Sequence, residues 1–339
     1  MPNNESSKSS SSPGLGDIFS KMAAASKTPL SPLLLEPPYV GIATFFHLPQ
    51  QTEPAGLDIA LVGVPYDGGL TGRTGTRGGP RAVRDQSFVT GGYEHQTKII
   101  PEMICRCADL GDVLLHNRFN HDEAISELES YFRRLVACGV TPLTCGGDHS
   151  ITFPILKVLG AERPVGLIHF DSHCDTADAI HGSRFHHGAP FRQAVEAGVL
   201  DPRRTVQIGI RGKAELLWSF SGESGMRVIH VEEFYEMGWK KVVAEIRRII
   251  GTGPVYLSFD IDCLDPAYAP GTGTPEIGGI TSFEAQQVIR GLRGLNFVGG
   301  DLVEVSPPFD SAGITALAGA NILFNIFCVV ADALAKREP

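Results

Sequence analysis

From Leu57 onward the chain alternates two kinds of segment, and this alternation restricts its fold more than any other feature. Short apolar runs rich in Val and Ile occur at Ile59–Val64, Pro142–Cys145, Val165–Phe170, Val206–Ile210, Arg227–Val231, Val255–Phe259 and Val298–Val305. Each is a candidate strand buried on both faces. Amphipathic stretches of helical length lie between them. Asp122–Cys138 carries Ile125, Leu128, Tyr131, Phe132 and Leu135 on one face; the others are Lys240–Ile250 and Ser282–Leu292, the last preceded by Thr281 with Glu284 close behind as a capping pair. Strand then helix, repeated, predicts an α/β fold with a mainly parallel sheet covered on both faces. No break in composition and no repeat interrupts residues 40–336, so 39–339 reads as a single domain. Residues 1–38 read as a disordered or loosely docked arm, because Asn3–Pro13 is nearly all Ser, Asn, Lys and Glu and the following stretch has no sustained apolar period.

Charge and cysteine content narrow the class. A net charge of −9 and a pI near 5.7 argue against nucleic acid as a partner, since a basic stripe is missing, and are compatible with a small cationic substrate. No membrane span is expected, because the longest apolar candidates, Val165–Phe170 and Ile322–Ala333, are short or interrupted. The seven cysteines form an odd set without paired CxxC spacing, which favours a reducing compartment. Cys105, Cys107 and Cys174 read as packing thiols. The first forty residues hold no apolar signal core and no Arg, so cytoplasmic residence is expected.

Six residues with metal-ligand chemistry fall just past three of the predicted strands: His149 in Cys145-Gly-Gly-Asp-His-Ser150, then Asp171, His173 and Asp175, then Asp260 and Asp262. Open parallel sheets place their ligand sites at that edge. Alone, an Asp-x-Asp is a capped turn and a loop histidine is merely satisfied. Three clusters at one sheet edge point instead to a joint site. Spacing of two projects Asp171, His173 and Asp175 to one side of an extended segment, as it does Asp260 and Asp262, and Gly146-Gly147 permits a tight turn that returns His149 over the edge. Four carboxylates and two imidazoles are enough for two divalent cations, and this hard-to-borderline set suits Mn, Fe, Co or Ni better than a thiolate-bound zinc. Two cations sharing carboxylates can hold a hydroxide between them at neutral pH, so the chemistry implied is activation of water.

These motifs resemble those of the ureohydrolase family of arginases and agmatinases. Gly146-Gly-Asp-His149-Ser, Asp171-Ser-His-Cys-Asp175, Ser258-Phe-Asp-Ile-Asp-Cys-Leu-Asp-Pro266 and Gly271-Thr-Gly-Thr-Pro-Glu-Ile-Gly-Gly279 occur in the family's order, and the likeness runs from about Tyr39 to Ala335. It is strongest to the agmatinase and guanidinobutyrase branch, whose sequences read much like Pro270–Gly279 and Asp301–Asp310. The resemblance implies a three-layer α/β/α sandwich, a homo-oligomer of trimers or hexamers, two metal ions (Mn2+, with Ni2+ as the less usual choice), and hydrolysis of a guanidino group to urea and an amine by a metal-bridging hydroxide. Carried over by position, one metal takes His149, Asp171, Asp175 and Asp260, and the other His173, Asp171, Asp260 and Asp262, with Asp171 and Asp260 bridging. The resemblance also makes His187 the acid/base histidine, places Asp175 with the catalytic group, assigns Glu304 to the guanidinium and Thr274 to substrate positioning. General chemistry agrees: a carboxylate matches the planar guanidinium fork, and a histidine can protonate the leaving amine. Neighbouring His186 reads as a loop histidine.

Departures from the family bear on the substrate. Ser172 replaces the usual alanine, Gly72 and Gly78 stand where relatives carry larger side chains, and the loop between Asp175 and His187 lacks the Asn and Ser pattern by which arginases hold an amino-acid head. Arginine is therefore disfavoured. Arg184 would suit the carboxylate of 4-guanidinobutanoate, Asp178 the distal amine of agmatine, and the extra glycines a substituted guanidine or biguanide. Two alternatives keep the fold: hydrolysis of a formimino compound, and a non-catalytic subunit that pairs with an active paralogue.

Overall fold

The computed structural model describes residues 15–29, 39–212 and 218–337. In chain order the strands are β1 (Ile59–Val64), β2 (Cys107–Asp112), β3 (Thr141–Gly146), β4 (Val165–Phe170), β5 (Leu200–Ile210), β6 (Arg227–His230), β7 (Val255–Asp260) and β8 (Phe297–Val303). The helices are α1 (Leu15–Ala25), α2 (Gly79–Ser87), α3 (Pro101–Ile104), α4 (His121–Ala137), α5 (Thr152–Leu159), α6 (Pro190–Glu196), α7 (Ser219–Ser224), α8 (Val231–Met237), α9 (Trp239–Ile250), α10 (Ser282–Gly291) and α11 (Ile314–Ala335). The eight strands form one sheet in the order β2-β1-β3-β8-β7-β4-β5-β6, and every pairing is parallel.

Period-two alternation sends successive strand residues to two separate cores. Ile59, Leu61, Ile168, Phe170, Leu257 and Phe259 pack on the side of α8, α9, α10 and α11. Ala60, Val62, Leu167 and Tyr256 pack on the side of α4, α5 and α6. The result is the three-layer sandwich. All seven expected strands are present; β2 was not foreseen, because Cys-Ala-Asp-Leu-Gly-Asp has no Val or Ile and lies at the sheet edge, where one partner suffices. Strand β5 also starts at Leu200, ahead of the expected Val206, through residues that are partly exposed.

One expectation needs correction. Ile322–Ala333 is not a short run but part of α11, a helix long and apolar enough to cross a membrane; 78% of that window is buried inside the fold, against β8, α2 and α10. The arm contains α1, and Thr28 behind it is buried: its hydroxyl donates to Cys105 O and accepts from Cys107 N, both at 2.8 Å. The arm is thus pinned to the start of β2 at this point, while 1–14 and 30–38 lie outside the described residues.

The glycines after β3 serve close approach rather than a left-handed turn. Neither Gly146 nor Gly147 has a positive φ. A Cβ on Gly147 would lie 1.8 Å from Tyr66 O, and Gly147 N donates to Val64 O at 2.9 Å, so the loops after β1 and β3 touch backbone to backbone. We therefore expect Gly147→Ala to lower unfolding free energy by about 2 kcal/mol or more, as overpacking against rigid backbone does. Equilibrium denaturant unfolding measures this, and a variant as stable as the parent would show that the loop moves aside freely.

Candidate metal centre

Four adjacent strands, in spatial order β3-β8-β7-β4, deliver the candidate residues to one edge. His149 opens a short 3-10 turn whose preceding residue, Asp148, accepts from Ser150 N. Its Nε2 lies 2.8 Å from Ser258 Oγ, and that hydroxyl donates to Asp301 Oδ1 at 2.6 Å. Asp301 also accepts from Thr152 and Tyr256. With the serine proton directed to a carboxylate, Ser258 Oγ accepts from His149 Nε2–H, which leaves the lone pair on Nδ1. That Nδ1 is buried without a hydrogen-bond partner among the described residues. It faces Asp175 Oδ2 at 2.9 Å, Asp171 Oδ2 at 3.3 Å and Asp260 Oδ2 at 3.4 Å.

A lone pair aimed at three carboxylates calls for a positive charge between them. Burial opposes protonation of His149, yet Asp171, Asp175 and Asp260 drive its pKa well above the usual imidazole range. Burial, with Asp262 and Asp171 nearby, drives Asp260 well above the carboxylate range. Both directions express excess negative charge in a buried place. His149, Asp171, Asp175 and Asp260 each turn a donor atom to a common point, so the residues fit a divalent cation.

Asp171, His173 and Asp262 form a second such group. His173 Nδ1 is 3.3 Å from Asp171 Oδ1 and 3.1 Å from Asp262 Oδ2. Asp171 joins both groups. Asp260 falls in the first alone, and its Oδ1 accepts from Asp262 N at 2.8 Å. Ser172, the departure from alanine, fixes Asp262 by donating from N at 3.0 Å and Oγ at 2.8 Å. Extended spacing does not explain these positions. Residues 261–263 form a 3-10 turn, and Asp175 has φ 51°, a left-handed conformation that swings its carboxylate to His149.

Glu304 follows β8 directly, and at φ 65° it is also left-handed. Its N donates to Gly147 O at 2.8 Å; its Oε1 accepts from His149 N at 2.9 Å and lies 3.3 Å from His187 Nδ1. Its Oε2 is buried and has no hydrogen-bond partner among the described residues. A Cβ on Gly273 would lie 3.8 Å from this oxygen, so the Gly-Thr-Pro turn borders it, and Thr274 Oγ1 donates to Asp262 at 3.2 Å. Burial would depress the pKa of His187, but Glu304, then Asp175 and Asp148, outweigh it and push it up to about 9.

Sequence reasoning missed two residues here. His169, on the buried strand β4, lies 2.8 Å from Asp171 Oδ2 and takes a hydrogen bond from Gln207 on its other nitrogen, so it orients Asp171. A histidine inside an otherwise apolar run was the available signal. Thr71 Oγ1 lies 2.8 Å from His187 Nε2, a contact between loops 116 residues apart that no local pattern reveals. Arg184 and Asp178, expected at the substrate, are instead engaged with Glu196 and Arg192, and both are exposed. Cys174 is buried with Ile210 and Trp218, and Cys105 and Cys107 are buried as expected. His186 Nε2 donates to Asp178 O at 2.8 Å, while its Nδ1 is buried without a hydrogen-bond partner among the described residues.

Comparison with known proteins bears on this geometry. The profile of the Arginase family matches residues 57–328. Guanidinopropionase from Pseudomonas aeruginosa is 51% identical over 306 residues, 88% of this chain and 95% of that one. Guanidinobutyrase from the same organism is 47% identical over 300 residues, 87% of this chain and 94% of its own. The solved structure of proclavaminate amidino hydrolase from Streptomyces clavuligerus superposes with a TM-score of 0.85 at 38% identity, covering 88% of this chain and all of that one. With its sheet order, its carboxylate and imidazole cluster and this likeness over most of its length, the chain belongs to the arginase family.

Proposed function

We propose that this protein is an amidinohydrolase that converts a small guanidino compound to urea and an amine. The observation that carries the reading is Glu304 Oε2, a buried carboxylate oxygen without a partner beside the His187 imidazole and the two ligand groups. A carboxylate left unpaired in a buried site calls for a cation with hydrogen-bond donors, and a guanidinium is both. Relatives named for guanidinopropionate and guanidinobutyrate support this substrate class.

In this reading His149, Asp171, Asp175 and Asp260 hold one divalent ion, and Asp171, His173 and Asp262 hold a second with Asp260 in reach; Mn2+ is the first choice and Ni2+ the second. Bound there, the ions would supply a nucleophilic water at neutral pH. Glu304 orients the guanidinium. Thr274, tied to Asp262, sits at the rim where it can position the same group. His187 carries its proton up to about pH 9, held between Glu304 and Thr71, and delivers it to the departing amine. The presence of all these side chains favours a catalytic role over that of a silent partner subunit. We place it in the cytoplasm, in line with seven cysteines that lack paired CxxC spacing.

The direct test is urea release from guanidinobutanoate, guanidinopropionate, agmatine, arginine, guanidine and dimethylated biguanide by protein loaded separately with Mn2+ and Ni2+. At least one should yield urea; silence from all under both metals would sink the reading. His187→Ala should keep its metal, measured by mass spectrometry of the bound ions, while kcat falls about 100-fold or more. Full turnover in that variant would remove His187 from the mechanism. Asp260→Asn should lower bound metal to one equivalent or less per chain, and two tightly held ions would contradict its place among the ligands.

A further inference from the structure

A cleft beside His187 carries information about the substrate that the metal ligands do not. Its walls come from Gly68–Thr71, ahead of α2, and from Ile180, His181, Ser183 and His186, with His121 at the start of α4. It encloses about 410 Å³, room for a small ligand. Thr71 belongs both to its wall and to the hydrogen bond with His187, so the cleft begins one side chain away from the acid/base histidine.

The lining holds no Asp, Glu, Lys or Arg: Leu70 and Ile180 give aliphatic surface, Thr71 and Ser183 hydroxyls, and His121, His181 and His186 imidazoles. Both ring nitrogens of His121 are engaged, by Tyr66 OH and Phe185 O; the Nε2–H of His186 is spent on Asp178 O while its Nδ1 is buried without a partner among the described residues, and His181 is exposed. Charged side chains on the surrounding loops face other partners: Asp178 meets Arg192, Arg184 meets Glu196, and Asp148, beneath the cleft, accepts from Gly69 N and Ser150. An ammonium placed against such a lining loses hydration and meets no carboxylate, and a carboxylate meets no Lys or Arg and finds only the exposed His181 imidazole, whereas an alkyl chain gains by leaving water.

We propose, building on the amidinohydrolase reading, that the preferred substrate is an N-alkylated guanidine whose substituent is uncharged and rests against Leu70 and Ile180. Water adds to the guanidino carbon, the bond from that carbon to the alkylated nitrogen breaks, and this nitrogen leaves as the alkylammonium after taking a proton from His187. One guanidinium and one water thus give one urea and one alkylammonium.

Butylguanidine, agmatine and 4-guanidinobutanoate share a four-carbon chain and differ at its end, so they isolate the terminal charge. Urea release from the metal-loaded protein should give butylguanidine a kcat/KM at least tenfold above each of the other two. Ile180→Asp should then raise agmatine relative to butylguanidine by tenfold or more, and Ile180→Lys should do the same for 4-guanidinobutanoate. Ile180 is half-buried and pairs with Ser183 through backbone atoms alone, so its side chain can change without loss of the loop; the parent series decides even if a variant misfolds. A preference below tenfold, or one for either charged tail, overturns the uncharged-substituent proposal and leaves the amidinohydrolase reading standing. No urea from these three or from unsubstituted guanidine overturns both.

Discussion

Asp171, Asp175, Asp260, Asp262 and Glu304 are buried together at the edge of one sheet, and burying carboxylates in company is among the costliest arrangements a protein can adopt. His149 and His173 offset part of that charge, and the remaining excess is what makes the site a receptor for cations. The architecture is arranged around this demand. A parallel sheet gathers strand ends on one side, and here β3, β8, β7 and β4 stand next to one another although far apart in sequence. The buried apolar strands then hold the carboxylates close despite their repulsion, which a flexible loop cluster could not.

The same demand explains the polar groups under the cluster. Asp301, Ser258, Tyr256 and Thr152 form a buried chain of hydrogen bonds ending on His149 Nε2, and Gln207 and His169 do the same for Asp171. Each fixes which atom of a ligand faces the common point. A ligand free to rotate would relieve the repulsion by turning away; a ligand already bonded at its far side cannot.

How much of this was legible in the sequence depended on whether the signal was local. Seven strands announced themselves as apolar runs, and the ligands as clusters behind them. Strand β2 did not, since Cys107–Asp112 owes its conformation to pairing with β1 rather than to its own composition. The long helix α11 was undervalued because Asn321, Asn325 and Asp332 interrupt its apolar run, although their side chains are satisfied by Leu317 O, Asn321 O, Arg290, Arg293 and Lys336. Arg184 and Asp178 are the opposite case: both are chemically suited to a substrate tail and lie in the loop before His187, yet Glu196 and Arg192 on α6 engage them, which a reading of charge alone does not reveal.

Backbone strain ties the two halves of the site together. Asp175 and Glu304 both take left-handed φ values, at a cost of order 1 kcal/mol or more apiece for residues with a side chain. Neither conformation follows from its neighbours in sequence. Glu304 is held by Gly147 O and His149 N, both in the loop after β3, and Asp175 by Phe191 N at the start of α6 and by His149 itself. His149 is thus the common contact: its Nδ1 faces the carboxylate cluster, its backbone N donates to Glu304, and it does so from a loop that fits because Gly147 has no side chain. Moving that loop would disturb the cluster and Glu304 at once. The cleft at Leu70 and Ile180 meets this loop where Gly69 N donates to Asp148, and reaches Glu304 through Thr71 and His187, so the pocket proposed for the substituent and the carboxylates at the sheet edge rest on shared supports.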